Sequence, residues 1–345
     1  PKEVISATSK AIFDGFTKYG PAAGDIELRN AIANKLELQN NIKYDFENIL
    51  VTNGAKQAIY NLFQILLNEG DEVIIPSPYW LSYPQIVKLA GGKPIFLETS
   101  PKNGFKIDVE QLKEKISSKT KFIIINSPNN PTGKVLSENE LLEIIEIIRK
   151  HDQINILSDE IYELILKNKV NHIPVVSLAK DLEDRIYTVN GFAKGWAMTG
   201  WRVGYLAGRK DVIKASSSLQ SQSTSNVCSF VQKGAIAALK IKKDYFEEIN
   251  LIYDERRQVL SKGLKDIENI HLYSPNGAFY AFPQLPNANI SSVDFCKKAL
   301  EEFGLVVVPG KAFGNDQCIR ISCATSKANI IEGLIRLKKS IKKFY

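Results

Sequence analysis

The chain has 345 residues, 44% hydrophobic and 24% charged, with a formal net charge of +7. That length exceeds what a single hydrophobic core holds comfortably, so two lobes are expected, and the balance of apolar to charged residues excludes a disordered chain. The 45 Lys and Arg residues are dispersed, and their densest runs, 241–244 and 337–343, fall on amphipathic helical patterns, which argues against nucleic acid or a membrane as partner.

From Asn48 onward, short β-rich runs alternate with helical periods: strands at 49–52, 72–75 and 121–126, followed by helices at 55–67, 80–89 and 137–150. Such alternation predicts an α/β fold with a mostly parallel sheet covered by helices. Asp108 with Gln111, and Ser137 with Glu140, have the spacing of a reciprocal helix cap. Strands at 154–157 and 186–189 continue the series, and 202–207 follows after a loop too short for a helical crossover, so it is expected to run antiparallel. After a long helix at 244–265 come separated strands at 278–282, 305–308 and 318–322, with helices at 293–303 and 328–342, which predict a smaller α/β unit. The lobes are expected to share one continuous helix.

Cys228, Cys296, Cys318 and Cys323 lack CxxC spacing, and His151, His172 and His271 stand apart in the chain. No metal site or disulfide framework is expected from them. Nor is there a run of about 18 apolar residues or a leader-like segment, so a reducing, cytoplasmic setting is expected.

Four motifs follow predicted strands. Thr52-Asn53-Gly54-Ala55-Lys56-Gln57 turns through glycine into a helix, whose free amides attract phosphate. Ser127-Pro128-Asn129-Asn130-Pro131-Thr132-Gly133 is a stiff loop at the strand end where open α/β sheets place ligands. Ser158-Asp159-Glu160-Ile161-Tyr162 puts a carboxylate and a phenol at the same end. The run 190–204 holds Lys194 among glycines and aromatics, where poor hydration would free its amine as a nucleophile, and Arg202, a fixed cation suited to phosphate. Taken singly, these are also a tight turn, a constrained loop, a capping Asp and a solvated Lys. Together they supply a phosphate cradle, an imine-forming amine and a carboxylate able to pair with a protonated ring nitrogen, which is a pyridoxal 5′-phosphate site.

With Lys18-Tyr19, residues 24–29, 77–80, 277–280, Arg320 and residues 324–326, these motifs make the chain resemble the class I aminotransferases of fold type I, in particular bacterial-type aspartate aminotransferases. The resemblance implies a large cofactor-binding domain at 16–250 with a mostly parallel seven-stranded sheet, and a smaller domain at 251–345 joined by 1–15. It implies that Lys194 holds pyridoxal 5′-phosphate covalently and shuttles the substrate proton, that Asp159 pairs with the pyridinium nitrogen, and that Tyr162 and Asn130 bond the ring's phenolic oxygen. Trp80 is then expected to stack on the ring, and Trp80 and Asn130 to contact the substrate as well. Gly54, Ala55, Lys56 and Arg202 would hold the phosphate, Tyr19 would reach the phosphate of a neighbouring subunit in a homodimer, and Arg320 would bind the substrate α-carboxylate.

The implied activity is ping-pong transfer of an amino group from an L-amino acid, with aspartate leading, to a 2-oxo acid, with 2-oxoglutarate leading, in amino-acid metabolism. A lyase of the same fold, or an aminotransferase for aromatic or other amino acids, is the alternative. Three departures stand out. Gly191 lies where many relatives carry a phosphate-contacting Ser, and the family's N-terminal segment is expected to be missing before Pro1. The cation that aspartate-selective members place against the distal carboxylate has no counterpart at Gln64, itself readable as a structural helix residue, or in the uncharged polar stretch 220–226.

Overall fold

The structure is a computed structural model that describes residues 1–286 and 290–345. Seven strands, β1 (Ile49–Thr52), β2 (Glu72–Ser77), β3 (Lys93–Glu98), β4 (Thr120–Asn126), β5 (Asn155–Asp159), β6 (Ile186–Gly191) and β7 (Gly204–Ala207), form one sheet in the order β1-β7-β6-β5-β4-β2-β3. The pairs β2–β3, β2–β4, β4–β5 and β5–β6 are parallel, whereas β7 runs antiparallel to both β1 and β6, as the short loop before it requires.

Alternate residues of each strand serve opposite faces. Ile49, Val51, Ile74, Ile123, Ile125 and Ile156 join the helices Ile26–Asn40, Glu138–Ile148 and Ser229–Leu239 in one core. Leu50, Val73, Ile75, Phe122, Ile124 and Leu157 join the helices Ala55–Leu66, Ser82–Leu89 and Lys210–Ser223 in the other. Burial on both faces is why these strands read as continuous apolar runs. It also leaves only the strand ends free to carry chemistry.

A second sheet, ordered β8 (Tyr280–Ala281), β10 (Ile319–Ser322) and β9 (Val308–Pro309), is antiparallel and packs with the helices Ser292–Phe303 and Lys327–Phe344. The helix Lys243–Lys265 runs from Phe246, edge-on to Trp196 in the large unit, to Leu260 and Leu264 in the small core. One continuous helix therefore joins the two.

Several expectations are corrected. The segment 202–207 becomes a strand only at Gly204, because Arg202 adopts a left-handed φ of 54°. Ala278, with a φ of 49°, likewise delays β8 to Tyr280. Ser137 and Glu140 form the reciprocal cap, but Asp108 caps alone, because the Gln111 side chain accepts instead from the Glu98 amide at 2.9 Å. The helix Lys2–Phe13 does not join the small unit: Val4 lies in the large core, and Thr8 packs so closely on Gly234 that a Cβ there would meet its Oγ1 at 2.1 Å. All four cysteines are free. Among the described residues no helix is long and apolar enough to cross a membrane.

Candidate active site

The ends of β1, β5 and β6, the loop after β4 and the small sheet enclose a cleft of about 490 Å³, within the usual range for a small-molecule site. At one end, β1 turns through Gly54, with φ at 83°, into the helix Ala55–Leu66. A Cβ on Gly54 would stand 2.6 Å from Arg202 Nη2 and displace the guanidinium, and the positive φ strains any other residue here. Arg202 donates to the carbonyls of Asn53 at 3.1 Å and Thr199 at 3.0 Å, which fixes a cation beside the unpaired amides of the helix start. This corner is built for an anion.

At the centre, Asp159 closes β5 and is 4% exposed. Its Oδ2 accepts from the Tyr83 hydroxyl at 2.6 Å and its Oδ1 from the Ile161 amide at 3.2 Å. Burial pushes its carboxyl up to about 6, while the Tyr83 hydrogen bond pulls the other way. The Tyr162 and Tyr280 hydroxyls lie 2.9 Å apart. The Lys194 ammonium sits 5.5 Å from the centre of the Tyr162 ring and 5.7 Å from that of Phe279. Burial first, and the charge of Arg320 second, lower its pKa, which favours the free amine.

On the far side, Arg320 leaves β10 and stacks on Tyr280 and Phe313, 4.6 and 4.8 Å from their ring centres. Its Nη1 donates to Asn130 Oδ1 at 3.0 Å, and its buried Nε has no partner. Asn130 is itself held by the stiff loop, its amide bonded to Asn126 Oδ1 at 2.9 Å while Thr132 Oγ1 donates to Asn129 Oδ1 at 2.7 Å. The guanidinium thus faces the cleft with donors to spare, a geometry suited to a carboxylate.

Gly54, Ala55, Lys56, Trp80, Asn130, Asp159, Tyr162, Lys194, Arg202 and Arg320 all line this one cleft. Tyr19 does not; it is 90% exposed and lies beside Phe16, Asn226 and Phe230 on another part of the surface. Gln64 donates to the Leu89 carbonyl at 3.2 Å, and Gln220 is buried against the carbonyls of Ala22 and Val51, so both are structural. A Cβ at Gly191 would meet Gly204 Cα at 2.7 Å and the Val203 carbonyl at 3.0 Å, which explains a glycine there in terms of strand packing. Tyr83 and Tyr280 line the site as well. Sequence reasoning missed both as site residues: Tyr83 reads as one more apolar position of a helix, and Tyr280 as part of a strand.

Residues 1–337 match the family profile described as aminotransferase class I and II. The chain is 44% identical to the probable aspartate/prephenate aminotransferase of Rickettsia bellii over 99% of its own length and 88% of the relative's. It is also 44% identical, with the same coverage, to the aspartate aminotransferase of Bacillus subtilis. The structure of aspartate aminotransferase from Thermus thermophilus with maleate superposes with a TM-score of 0.93 at 40% identity, covering 99% of this chain and 88% of that one. A whole-chain family match, relatives at this identity and a cleft with this set of groups converge on one conclusion: the chain belongs to the class I and II aminotransferases and is a pyridoxal-phosphate-dependent transaminase.

Proposed function

We propose that the cleft transfers the amino group of a dicarboxylic amino acid, with aspartate as donor, to 2-oxoglutarate, and that Lys194 holds the cofactor. The observation that carries this reading is the convergence of Lys194, Asp159, Arg202 and Arg320 on one cleft with a further cation, Lys56. The donor set fits pyridoxal 5′-phosphate: the amides after Gly54 and the Arg202 guanidinium suit its phosphate, the Asp159 carboxylate its protonated ring nitrogen, and Tyr162 and Asn130 its phenolic oxygen. Trp80 is the flat side chain available to its ring face. When bound, the cofactor supplies an electron sink for the pair released at the substrate Cα and a carrier for the amino group between the two half-reactions.

The protein's own groups do the rest. Arg320 grips the α-carboxylate in a bidentate pair, its unpartnered Nε providing one of the donors. Because β10 belongs to the small sheet, that grip also draws the small unit over the cleft and expels water. Lys194 Nζ, kept toward the neutral amine, would take the proton from the substrate Cα and deliver it to the cofactor carbon on the other side of the transferred nitrogen.

With Arg202, Arg320 and Lys194 assigned, Lys56 is the remaining lysine or arginine lining the cleft among the described residues, its ammonium 5.1 Å from the centre of the Trp80 ring. It is the group we assign to the substrate's distal carboxylate, and the maleate carried by the Thermus relative is a dicarboxylate of similar size. A homodimer and a cytoplasmic setting complete the proposal. Tyr19 at 90% and Phe13 at 89% exposure support this reading as large side chains for a second subunit to cover, and Tyr19 is the residue we assign to the partner's phosphate.

The test is a half-reaction screen. Purified protein loaded with pyridoxal phosphate is mixed with single amino acids, and cofactor absorbance is followed; aspartate and glutamate are expected to convert it. Lys194→Ala is expected to abolish turnover, and Lys56→Met to lower kcat/KM for aspartate at least tenfold while sparing alanine. Wild-type rates in Lys194→Ala would refute the assignment of the lysine. An unchanged preference for aspartate in Lys56→Met would refute that of the distal site.

A further inference from the structure

We propose that Tyr83 is a positioning residue of the transamination site, whose hydroxyl holds the Asp159 carboxyl anionic and fixed in orientation. The proposal rests on the reading that Asp159 meets the cofactor's ring nitrogen. That role needs a negative charge, yet Asp159 sits where burial opposes one. The charges acting on it are Glu160, which opposes ionisation, and Lys194, which favours it; Tyr162 also faces it, as a neutral phenol. What compensates the carboxylate directly is a pair of hydrogen bonds, one from the Ile161 amide at 3.2 Å and a shorter one from Tyr83 at 2.6 Å. The length of the second is that of a charge-assisted O–H donor on a carboxylate.

Tyr83 is well placed to be a permanent donor. It is 1% exposed and packs edge-on against Trp80 with ring centres 5.2 Å apart. Burial, and then the charge of Asp159, push its own pKa well above the ordinary phenol value, so its proton stays on across the working range. The two anchored oxygens leave Asp159 one rotamer, with its remaining lone pairs available to the cleft. The helix Ser82–Leu89 thereby acts on the cofactor through Asp159.

Tyr83→Phe keeps the ring and its packing and deletes only the donor. Removing a bond that favours the anion makes Asp159 harder to ionise, so its titration midpoint should rise by about one to two pH units. The midpoint is read in the full-length apo protein by NMR of ¹³Cγ-labelled Asp, with Asp159→Asn identifying the signal and a thermal melt confirming the fold. Two readouts on the loaded enzyme accompany it: a cofactor dissociation constant about tenfold higher at pH 7, and an acid limb of kcat/KM displaced upward by a similar interval. Tyr83→His, which keeps a donor, should recover part of each shift. A midpoint that does not move in folded Tyr83→Phe overturns the proposal whatever the cofactor does. A midpoint that moves while cofactor affinity and pH profile stay unchanged overturns instead the placement of Asp159 against the ring nitrogen, and with it the positioning role.

Discussion

Lys35→Met should destabilise the protein far more than its loss of one surface-type residue would suggest, because Lys35 is the cation of a buried network behind the active-site turn. On that turn Asp159 and Tyr162 line the cleft, while Glu160 and Glu163 belong to a cluster with Lys35, Asn40, Ser158 and His172. The Lys35 ammonium stands 2.7 Å from Glu163, and both side chains are 7% exposed. Asn40 and Ser158 donate to Glu160 at 3.1 and 2.9 Å, and His172 lies 3.3 Å from it. Burial pushes the Glu160 carboxyl up, but His172 and Lys35 outweigh it and leave its pKa lowered.

Methionine preserves the unbranched stem and removes the charge, leaving two buried carboxylates with no lysine between them. Breaking a buried pair from one side costs about 3–5 kcal/mol, which at roughly 2–4 °C per kcal/mol for a domain of this size is a melting shift of roughly 6–20 °C. The assay is differential scanning calorimetry of Lys35→Met, Glu163→Gln and the double variant. The double should recover most of the loss, since no unpaired charge remains at Glu163. A single-variant shift below about 2 °C, or a double variant whose loss is the sum of the two, would show that Lys35 and Glu163 do not compensate each other's buried charge and would refute the reasoning.

Two further outcomes follow from the site. Arg320→Lys keeps the charge but loses the bidentate fork, so kcat/KM should fall about 10- to 150-fold, corresponding to about 1.5–3 kcal/mol for a charge-assisted bond; steady-state kinetics with several amino acids should show the same factor for each, because every substrate carries the α-carboxylate. Gly191→Ser, which installs the serine many relatives carry, should destabilise the protein by about 1–3 kcal/mol through overpacking, because its Cβ would press on the backbone of Gly204 and Val203; an unchanged melting temperature would show that β6 and β7 can spread to admit it.

What was legible in the sequence was whatever one segment specifies by itself. The strands β1, β4, β5 and β6 are largely apolar runs that end at, or one residue before, an Asn, Asp or Gly, and a parallel sheet gathers such ends at one edge, so Gly54, Asn130, Asp159 and Lys194 could be placed together from the sequence. What was not legible were bonds between segments with no shared local signal. Tyr83 and Asp159 are 76 positions apart, Lys35 and Glu163 128, and Arg320 and Asn130 190. A buried tyrosine on a helix carries the same apolar signature whether its hydroxyl meets a carboxylate or a backbone carbonyl, and a lysine on an amphipathic helix reads as solvated until the facing element is known.

The same limit explains the misplaced N-terminal helix. Its apolar stripe shows that it packs but not on what, and the notch that receives Thr8 exists only because Gly234, far along the chain, has no side chain. The large-domain face and the active-site turn are therefore specified at two levels. Local pattern brings the reactive groups to one edge, and distant polar partners, Tyr83 in front of the turn and Lys35 behind it, set the charge state and rigidity that decide whether those groups can work. Substitutions at Tyr83 and Lys35 should consequently separate the two, the first moving the titration of Asp159 at a stability loss of about 1–3 kcal/mol at neutral pH, which that shift itself entails, and the second costing more in stability.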